Sequence, residues 1–161
     1  DEILGQCEES GRDQGHATLC VSLMGTFCQM AYNIGEDLVA YDNYRAVAMA
    51  EDVGKYNLIK DESFNKGTLV GDDFIYDSNS FPYTSYSNPS YTNATISTEQ
   101  RGTKRPSWEL FYGYCKEKGI SSLYSEKWAD QMRPDGGGGN YGPNSGGFDQ
   151  LGFGTLMHYR E

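Results

Sequence analysis

The chain contains 161 residues and carries a formal net charge of −10, with an isoelectric point near 4.6. This length allows one domain with a hydrophobic core of its own. The acidic balance argues against nucleic acid as a partner, because phosphate binding requires a basic patch. No apolar run approaches the ~20 residues that cross a bilayer, so we expect no membrane span.

A first helix is predicted over about residues 14–33, after an extended entry at 1–13. Apolar residues recur there at steps of three and four: Leu19, Leu23, Phe27 and Met30. Gly35 follows at the position of a C-terminal capping glycine. His16 shares one helical stripe with some of these residues, so we expect it to face the core or a cleft.

A second helix is predicted from about residue 37, where Asp37 can act as N-cap, to residue 56. One of its faces carries Tyr41, Arg45, Ala48, Asp52 and Tyr56. The short connection at Gly35–Glu36 predicts that the two helices form an antiparallel hairpin.

Residues 60–103 lack a helical period and are rich in Gly, Asn, Ser, Pro and Tyr, with one possible strand at 73–76. The segment contains four tyrosines that could stack on sugar rings or simply pack the loop down: Tyr76, Tyr83, Tyr86 and Tyr91. Asn93-Ala94-Thr95 is a glycosylation sequon, which makes Asn93 a candidate glycosylation site.

A third helix is predicted over 106–118 and ends at Gly119, and a fourth over 125–132 begins with Ser125 as its cap. A glycine-rich segment follows at 133–154, and residues 151–159 could be a strand or a final helix. Polar and aromatic residues stand among the glycines, which favours an ordered binding loop over a flexible linker.

The segment from Glu8 to His16 packs two acids, an arginine, an aspartate, a glutamine and a histidine into the start of the first helix. One interpretation is an elaborate helix start in which Ser10 or Asp13 is the N-cap and the other charges are solvated. The other is a site for an anionic ligand, which the helix dipole and unpaired N–H groups favour.

Four segments resemble the alginate-lyase-type polysaccharide lyases, and with a gap they span most of residues 5–157. They are Glu9-Ser10-Gly11-Arg12-Asp13-Gln14-Gly15-His16, Lys55-Tyr56-Asn57-Leu58, Arg105-Pro106-Ser107-Trp108-Glu109-Leu110 and Phe148-Asp149-Gln150-Leu151-Gly152-Phe153-Gly154-Thr155-Leu156. The resemblance implies a mainly α fold, part of an α/α-toroid with long irregular loops. It also implies a secreted enzyme that cleaves an acidic polysaccharide by β-elimination and uses no cofactor or metal.

β-Elimination requires a group that neutralises the uronate carboxylate, a base for the C5 proton and an acid for the departing O4. By resemblance, His16 and Arg45 match catalytic residues, and Arg12 and Gln14 could contact the carboxylate. Equally, His16 could be a satisfied core histidine, Arg12 could pair with Glu8 or Glu9, and Arg45 could pair with Asp52 or Asp13. Further sugar contacts are expected in the glycine-rich segment, from Asn140, Tyr141, Asn144 and Asp149.

The sequence departs from the family at Asp52, where related enzymes carry a tyrosine. Aspartate has a pKa about six units below that of a phenol, so it cannot do the same work. Tyr56, one turn later, is our candidate substitute, and Tyr41 is another. The alternative function is a catalytically inactive relative that binds carbohydrate or acts as a structural extracellular protein.

The four cysteines match no zinc pattern. Cys20 and Cys28 lie ~12 Å apart on one predicted helix and cannot bridge. We expect a disulfide between Cys7 and Cys20, with four free thiols as the alternative.

The chain is expected to be a single domain over 1–161 or the C-terminal part of an alginate-lyase-type domain. A closed toroid needs more hairpins than these four helices supply, so inner helix faces should be left exposed. The residues concerned are Leu23, Phe27, Met30, Trp108, Phe111 and Trp128. We expect a preceding segment, another chain or another copy to cover them.

Overall fold

The computed structural model describes residues 5–88, 91–105 and 107–133, and it is mainly α-helical. The four helices are α1 (Gln14–Tyr32), α2 (Tyr41–Asn57), α3 (Trp108–Lys118) and α4 (Leu123–Met132). A small antiparallel hairpin joins β1 (Tyr86–Asn88) to β2 (Tyr91–Asn93). The prediction of a mainly α fold with long irregular loops is confirmed, and the sequon residue Asn93 ends β2.

Helix α1 has the predicted bounds to within a residue, because its end signals are local. The chain leaves the helix through Gly35, whose φ of 93° is readily adopted only by glycine. The Gly35 amide donates to the Tyr32 carbonyl and the Glu36 amide donates to Ala31, which satisfies the last carbonyls of the helix. Gly119 ends α3 in the same left-handed region, with φ of 67°.

Helix α2 begins later than predicted, and Asp37 is not its N-cap. Asp37 accepts hydrogen bonds from the Ala40 amide and from the Tyr114 hydroxyl, and so ties the α1–α2 connection to α3. Three successive residues at the start of α2 are left-handed: Asp42, Asn43 and Tyr44. Regular right-handed helix therefore begins only at Arg45.

Helix α2 packs on α1, α3 and α4, which makes it the centre of the core. The Trp108 and Trp128 rings lie 4.8 Å apart between centroids, and each indole N–H donates to a backbone carbonyl. Large side chains that are fully buried here include Val21, Val53, Trp108, Phe111 and Trp128. Burial of each side chain of this size contributes about 1.5–3 kcal/mol.

The expectation of exposed inner helix faces is correct for α1 and wrong for α3 and α4. Leu23, Phe27 and Met30 are 53%, 58% and 65% exposed, on a helix that carries no Asp, Glu, Lys or Arg. By contrast Trp108, Phe111 and Trp128 are buried in the core described above. Their faces close on one another because α3 and α4 pack together and against α2.

The predicted strand at 73–76 is absent, and only an isolated bridge joins Phe74 to Ile59. Asp73 instead closes the loop 60–74. Its carboxylate accepts from the Val70 amide, the Ser63 hydroxyl and the Lys66 ammonium. Above all the bond from Lys66 lowers the pKa of Asp73 from 3.8 to about 2.

The predicted Cys7–Cys20 disulfide is wrong, because all four cysteines are free thiols. The two side chains do lie in contact: a thiol–thiol hydrogen bond raises the pKa of Cys7 and lowers that of Cys20. None of the helices in the described ranges is long and apolar enough to cross a membrane.

Candidate functional site

The candidate site lies at the N-terminal end of α1, where a 3₁₀ turn at Glu8–Gly11 leads into the helix. Asp13 is the N-cap: its backbone is extended, with φ of −165°, and its Oδ1 accepts from the His16 amide at 2.8 Å. A capping carboxylate satisfies an otherwise unpaired N–H and favours the positive end of the helix dipole. The interpretation of Asp13 as N-cap is therefore confirmed, and the same carboxylate also holds the histidine ring.

The Asp13 carboxylate also binds the His16 ring, with 2.6 Å between Oδ2 and Nδ1. A carboxylate can only accept, so Nδ1 carries the proton and Nε2 keeps its lone pair when the ring is neutral. Nε2 has no hydrogen-bond partner among the described residues, and the side chain is 41% exposed. His16 is therefore an oriented, accessible proton acceptor and not a core histidine.

Arg12 places a positive charge beside this pair. Its Nη1 lies 3.3 Å from Glu9 Oε2, and its Nε lies 3.6 Å from Asp13 Oδ2. The side chain is 44% exposed and lies on the same turn as Asp13. A guanidinium in this position can bind a carboxylate with two parallel hydrogen bonds.

The segment 97–104 covers the other side of the α1 start. The Gln14 amide donates to the Glu99 carbonyl, and the Ser97 amide donates to the Ser10 carbonyl. Gly15 permits the close approach, because a Cβ there would stand 2.2 Å from the Gln100 side-chain oxygen. The Gln100 carboxamide thus lies against Gly15, the residue directly before His16.

Gln14 does not have the predicted role of a substrate contact in this structure, because it is buried and fully bonded within the protein. Its amide nitrogen donates to the Ser10 and Ser97 carbonyls, and its oxygen accepts from Asn57. Asn57 also accepts from the Gly102 amide. We call Gln14, Asn57 and Gly102 the junction network, since it joins α1, α2 and the segment 97–104.

Arg45 lies far from His16, so the structure does not bring the predicted catalytic pair together. The start of α1 contacts the end of α2 through Gln14 and Asn57. Arg45 is twelve residues before Asn57, which places it roughly 18 Å further along the helix axis. Its Nη2 instead pairs with Asp42 Oδ2 at 2.9 Å, with both side chains about half exposed.

Tyr56 is also misplaced for catalysis, because it is completely buried. Its ring packs edge-on against Phe81, with centroids 4.8 Å apart, and the Arg101 guanidinium lies 4.0 Å above it. Burial raises the pKa of its hydroxyl, which has no hydrogen-bond partner in the described structure. One turn earlier, burial raises the pKa of Asp52 to about 6.

The remaining candidates are less informative. Asn140, Tyr141, Asn144 and Asp149 lie outside the described residues, as does all of the glycine-rich segment after Arg133. Of the loop tyrosines, Tyr76 packs edge-on against Phe81 and Tyr124, which matches the packing alternative for that residue.

Two residues that the sequence did not single out contribute to this region. Gln100 lies against Gly15, and Arg101 joins the end of α2 to a later loop through bonds to the Tyr56 and Tyr76 carbonyls. Their sequence context, a polar stretch without periodicity, carries no signal that could have predicted these contacts. The spacing of Asp13 and His16 did carry one, because three residues is the reach of an N-cap side chain.

No protein-family model, no curated protein and no solved structure matches this chain. Within the described residues, no group of three or more His, Cys, Asp or Glu side chains could hold a metal ion. The chemistry of the site therefore rests on the Asp13–His16 pair and its surroundings.

Proposed function

We propose that this chain acts on a uronic-acid-containing polysaccharide as a lyase, with His16 as its proton-transfer residue. The observation that carries the proposal is the Asp13–His16 pair, in which Nδ1 is held at 2.6 Å and Nε2 is accessible. A positioned imidazole with its tautomer fixed by a carboxylate is a well-suited general base near neutral pH.

In the proposed reaction, Arg12 binds the C6 carboxylate of the sugar and makes the C5 proton more acidic. His16 Nε2 takes that proton as the C5–H bond breaks. A double bond forms between C4 and C5 while the C4–O4 bond breaks, and the protonated His16 returns the proton to the departing O4. The imidazole thus serves as both base and acid, so no tyrosine is required at the site.

The fold class extends this proposal. The α1–α2 pair is an antiparallel helical hairpin, and α3 and α4 pack beside it. Such hairpins are the units of an α/α-toroid, and we place the chain in that architecture, secreted and acting without a cofactor. The exposed α1 stripe of Leu23, Phe27 and Met30 would then pack on a further hairpin, in this polypeptide or in another chain or copy.

A second candidate function is binding of the same polysaccharide without cleavage. It is favoured by the positions of the other two expected catalytic residues, since Arg45 pairs with Asp42 and Tyr56 is buried.

The proposal is tested by incubating the protein with alginate and with glucuronan and measuring the ultraviolet absorbance of the unsaturated uronate product. We expect product from the unaltered chain and a loss of about 10²-fold or more in His16→Gln, the range of general acid–base catalysis. Arg45→Ala is the matched comparison, and its rate should stay within about twofold because the residue lies roughly 18 Å along α2. No product from any uronate polymer would favour the binding function, and equal loss in both variants would contradict our site.

A further inference from the structure

A second polar feature lies next to the α1 start: a cavity of about 840 Å³ between the loop 60–74 and the segment 98–104. Among the described residues that line it, three are cationic, Lys66, Arg101 and Lys104, and none is Asp or Glu. The chain as a whole has 23 acidic and 13 basic residues, so this lining runs against the overall charge. A concave surface with one sign of charge concentrates ligands of the opposite sign.

Arg101 is the most constrained of these cations, at 8% exposed. Its Nε donates to the Tyr56 carbonyl at 2.7 Å and its Nη2 to the Tyr76 carbonyl at 2.8 Å. The guanidinium is held between the Tyr56 and Phe74 rings, at 4.0 and 4.1 Å from their centroids. The side chain is thus fixed in place before any ligand arrives.

The charge of Arg101 is not neutralised by an ion pair with any described residue. Asp77 acts on it only through space, and Nη1 makes no hydrogen bond within the described structure. Desolvating a guanidinium is costly unless it is paired and hydrogen-bonded. An anion in the cavity would offset that cost, which is the physical reason to expect one.

The other two cations add positive charge to the cavity and so also favour an anionic ligand. Lys104 lies over the Phe64 ring at 3.7 Å and donates to Asn65 Oδ1, so its ammonium is held at the cavity. Lys66 is anchored to Asp73 at 2.8 Å. Hydroxyls of Ser78, Thr98 and Thr103 and the apolar side chain of Leu69 also line the cavity, and such a mixture suits a sugar ring.

The cavity is adjacent to the candidate site through the segment 98–104. Thr98 and Gln100 line the cavity, and the Gln100 side chain also lies against Gly15 beside His16. A polymer whose reacting unit sits at His16 can therefore extend along this segment, with a neighbouring unit over the cavity.

We propose that this cavity binds the carboxylate of a sugar acid, with Arg101 and Lys104 as the recognising groups. It is a subsite for the substrate class of the proposed function and rests on that function. Binding and cleavage can nevertheless be measured separately.

Calorimetric titration with a mannuronate tetrasaccharide tests the subsite, with His16→Gln as the background so that the probe is not cleaved. Lys104→Gln should weaken binding about two- to fivefold, the value of a partly exposed charge contact. Arg101→Lys keeps the charge but loses the fork of donors, and should weaken binding about tenfold. Thr68→Trp should block the cavity while leaving both cations in place. It tests the subsite even if the Arg101→Lys variant does not fold.

Lys118→Gln is the matched control, because Lys118 also lies over an aromatic ring, that of Tyr114, on a different part of the surface. It should change the affinity less than twofold. Three results would each overturn the subsite. Lys118→Gln could weaken binding as much as Lys104→Gln does, neutral mannotetraose could bind as tightly as the mannuronate tetrasaccharide, or equimolar inorganic phosphate could displace that tetrasaccharide. Binding that maps to the cavity, with no product from the unaltered chain, would refute the lyase and retain the subsite. Product formation with an unchanged KM in Lys104→Gln and Thr68→Trp would refute the subsite alone.

Discussion

Two groups of polar residues meet at the start of α1, and they differ in their exposure to solvent. The exposed group is Arg12 and His16, each more than 40% open to solvent. The buried group is the junction network, in which Gln14 and Asn57 are at most 1% exposed. Gln14 and His16 are separated by one glycine, yet the first is part of the scaffold and the second is available for chemistry.

The difference follows from where each hydrogen-bond partner lies. Besides the nearby Ser10 carbonyl, the partners of the Gln14 side chain come from α2 and from the segment 97–104, so its amide closes a contact between distant parts of the chain. The partner of His16 is its own N-cap, so the ring is oriented without being enclosed. A short polar motif can therefore assemble the fold and present a reactive group at the same time.

The largest expected effect is on the buried group. Asn57→Ala removes the bonds to Gln14, Gly102 and Val53, and leaves buried polar atoms of the first two without this partner. We expect a loss of about 3 kcal/mol in the free energy of unfolding, measured in urea, since each unsatisfied buried group costs about 1–3 kcal/mol. Asn33→Ala, at an exposed asparagine, should cost less than about 1 kcal/mol. Equal losses would contradict the buried network.

Replacement of Asp52 should have a smaller effect on the free energy of unfolding, and it should be a gain instead of a loss. Burial raises its pKa to about 6 from 3.8, so the folded state binds the proton more tightly than the unfolded state. Stability should therefore fall as pH rises from about 4 to about 6, and the full cost should remain above that range. Asp52→Asn should gain about 1–3 kcal/mol at neutral pH and little at pH 4. Urea unfolding at both pH values checks this, with Glu36→Gln as the exposed control, and a pH-independent gain would refute the burial argument.

The smallest expected effect is local and concerns the loop that forms one wall of the cavity. The pKa of Asp73 is lowered to about 2, so its stabilising contribution is present above about pH 4 and is lost as pH falls toward 2. Hydrogen exchange of the Val70 amide, which donates to Asp73, should accelerate in that range before the amides of α2 do. Simultaneous loss of protection in loop and helix would contradict a local role.

The elements that the sequence predicts well are those with local end signals. The bounds of α1 follow from Asp13 and Gly35, and the end of α3 follows from Gly119, because caps and left-handed glycines act within one turn. The start of α2 was predicted too early, since Asp37 bonds to Tyr114 on a helix 77 residues away. Contacts of that range leave no trace in a local pattern.

The candidate site also divides into local contacts, which the sequence predicts, and contacts between distant parts of the chain, which it does not. The Asp13–His16 pair is a local contact, and its spacing made it predictable. The burial of Gln14 cannot be read from a local pattern, because its partner Asn57 is 43 residues away. The distance of Arg45 from His16 is not predictable either, because a shared helix face does not fix how far along an antiparallel hairpin a residue lies. The burial of Tyr56 depends on Phe81 and Arg101, which come later in the chain and pack against its ring.

The most direct test of the central claim, that His16 serves chemistry and not stability, is to measure both properties of His16→Ala in one preparation. We expect unsaturated uronate product to fall by about 10²-fold or more. The free energy of unfolding should fall by less than about 1 kcal/mol, because the side chain is 41% exposed and the hydrogen bond from the backbone amide of residue 16 to Asp13 remains. A variant that keeps its activity, or that loses stability and activity together, would contradict the account.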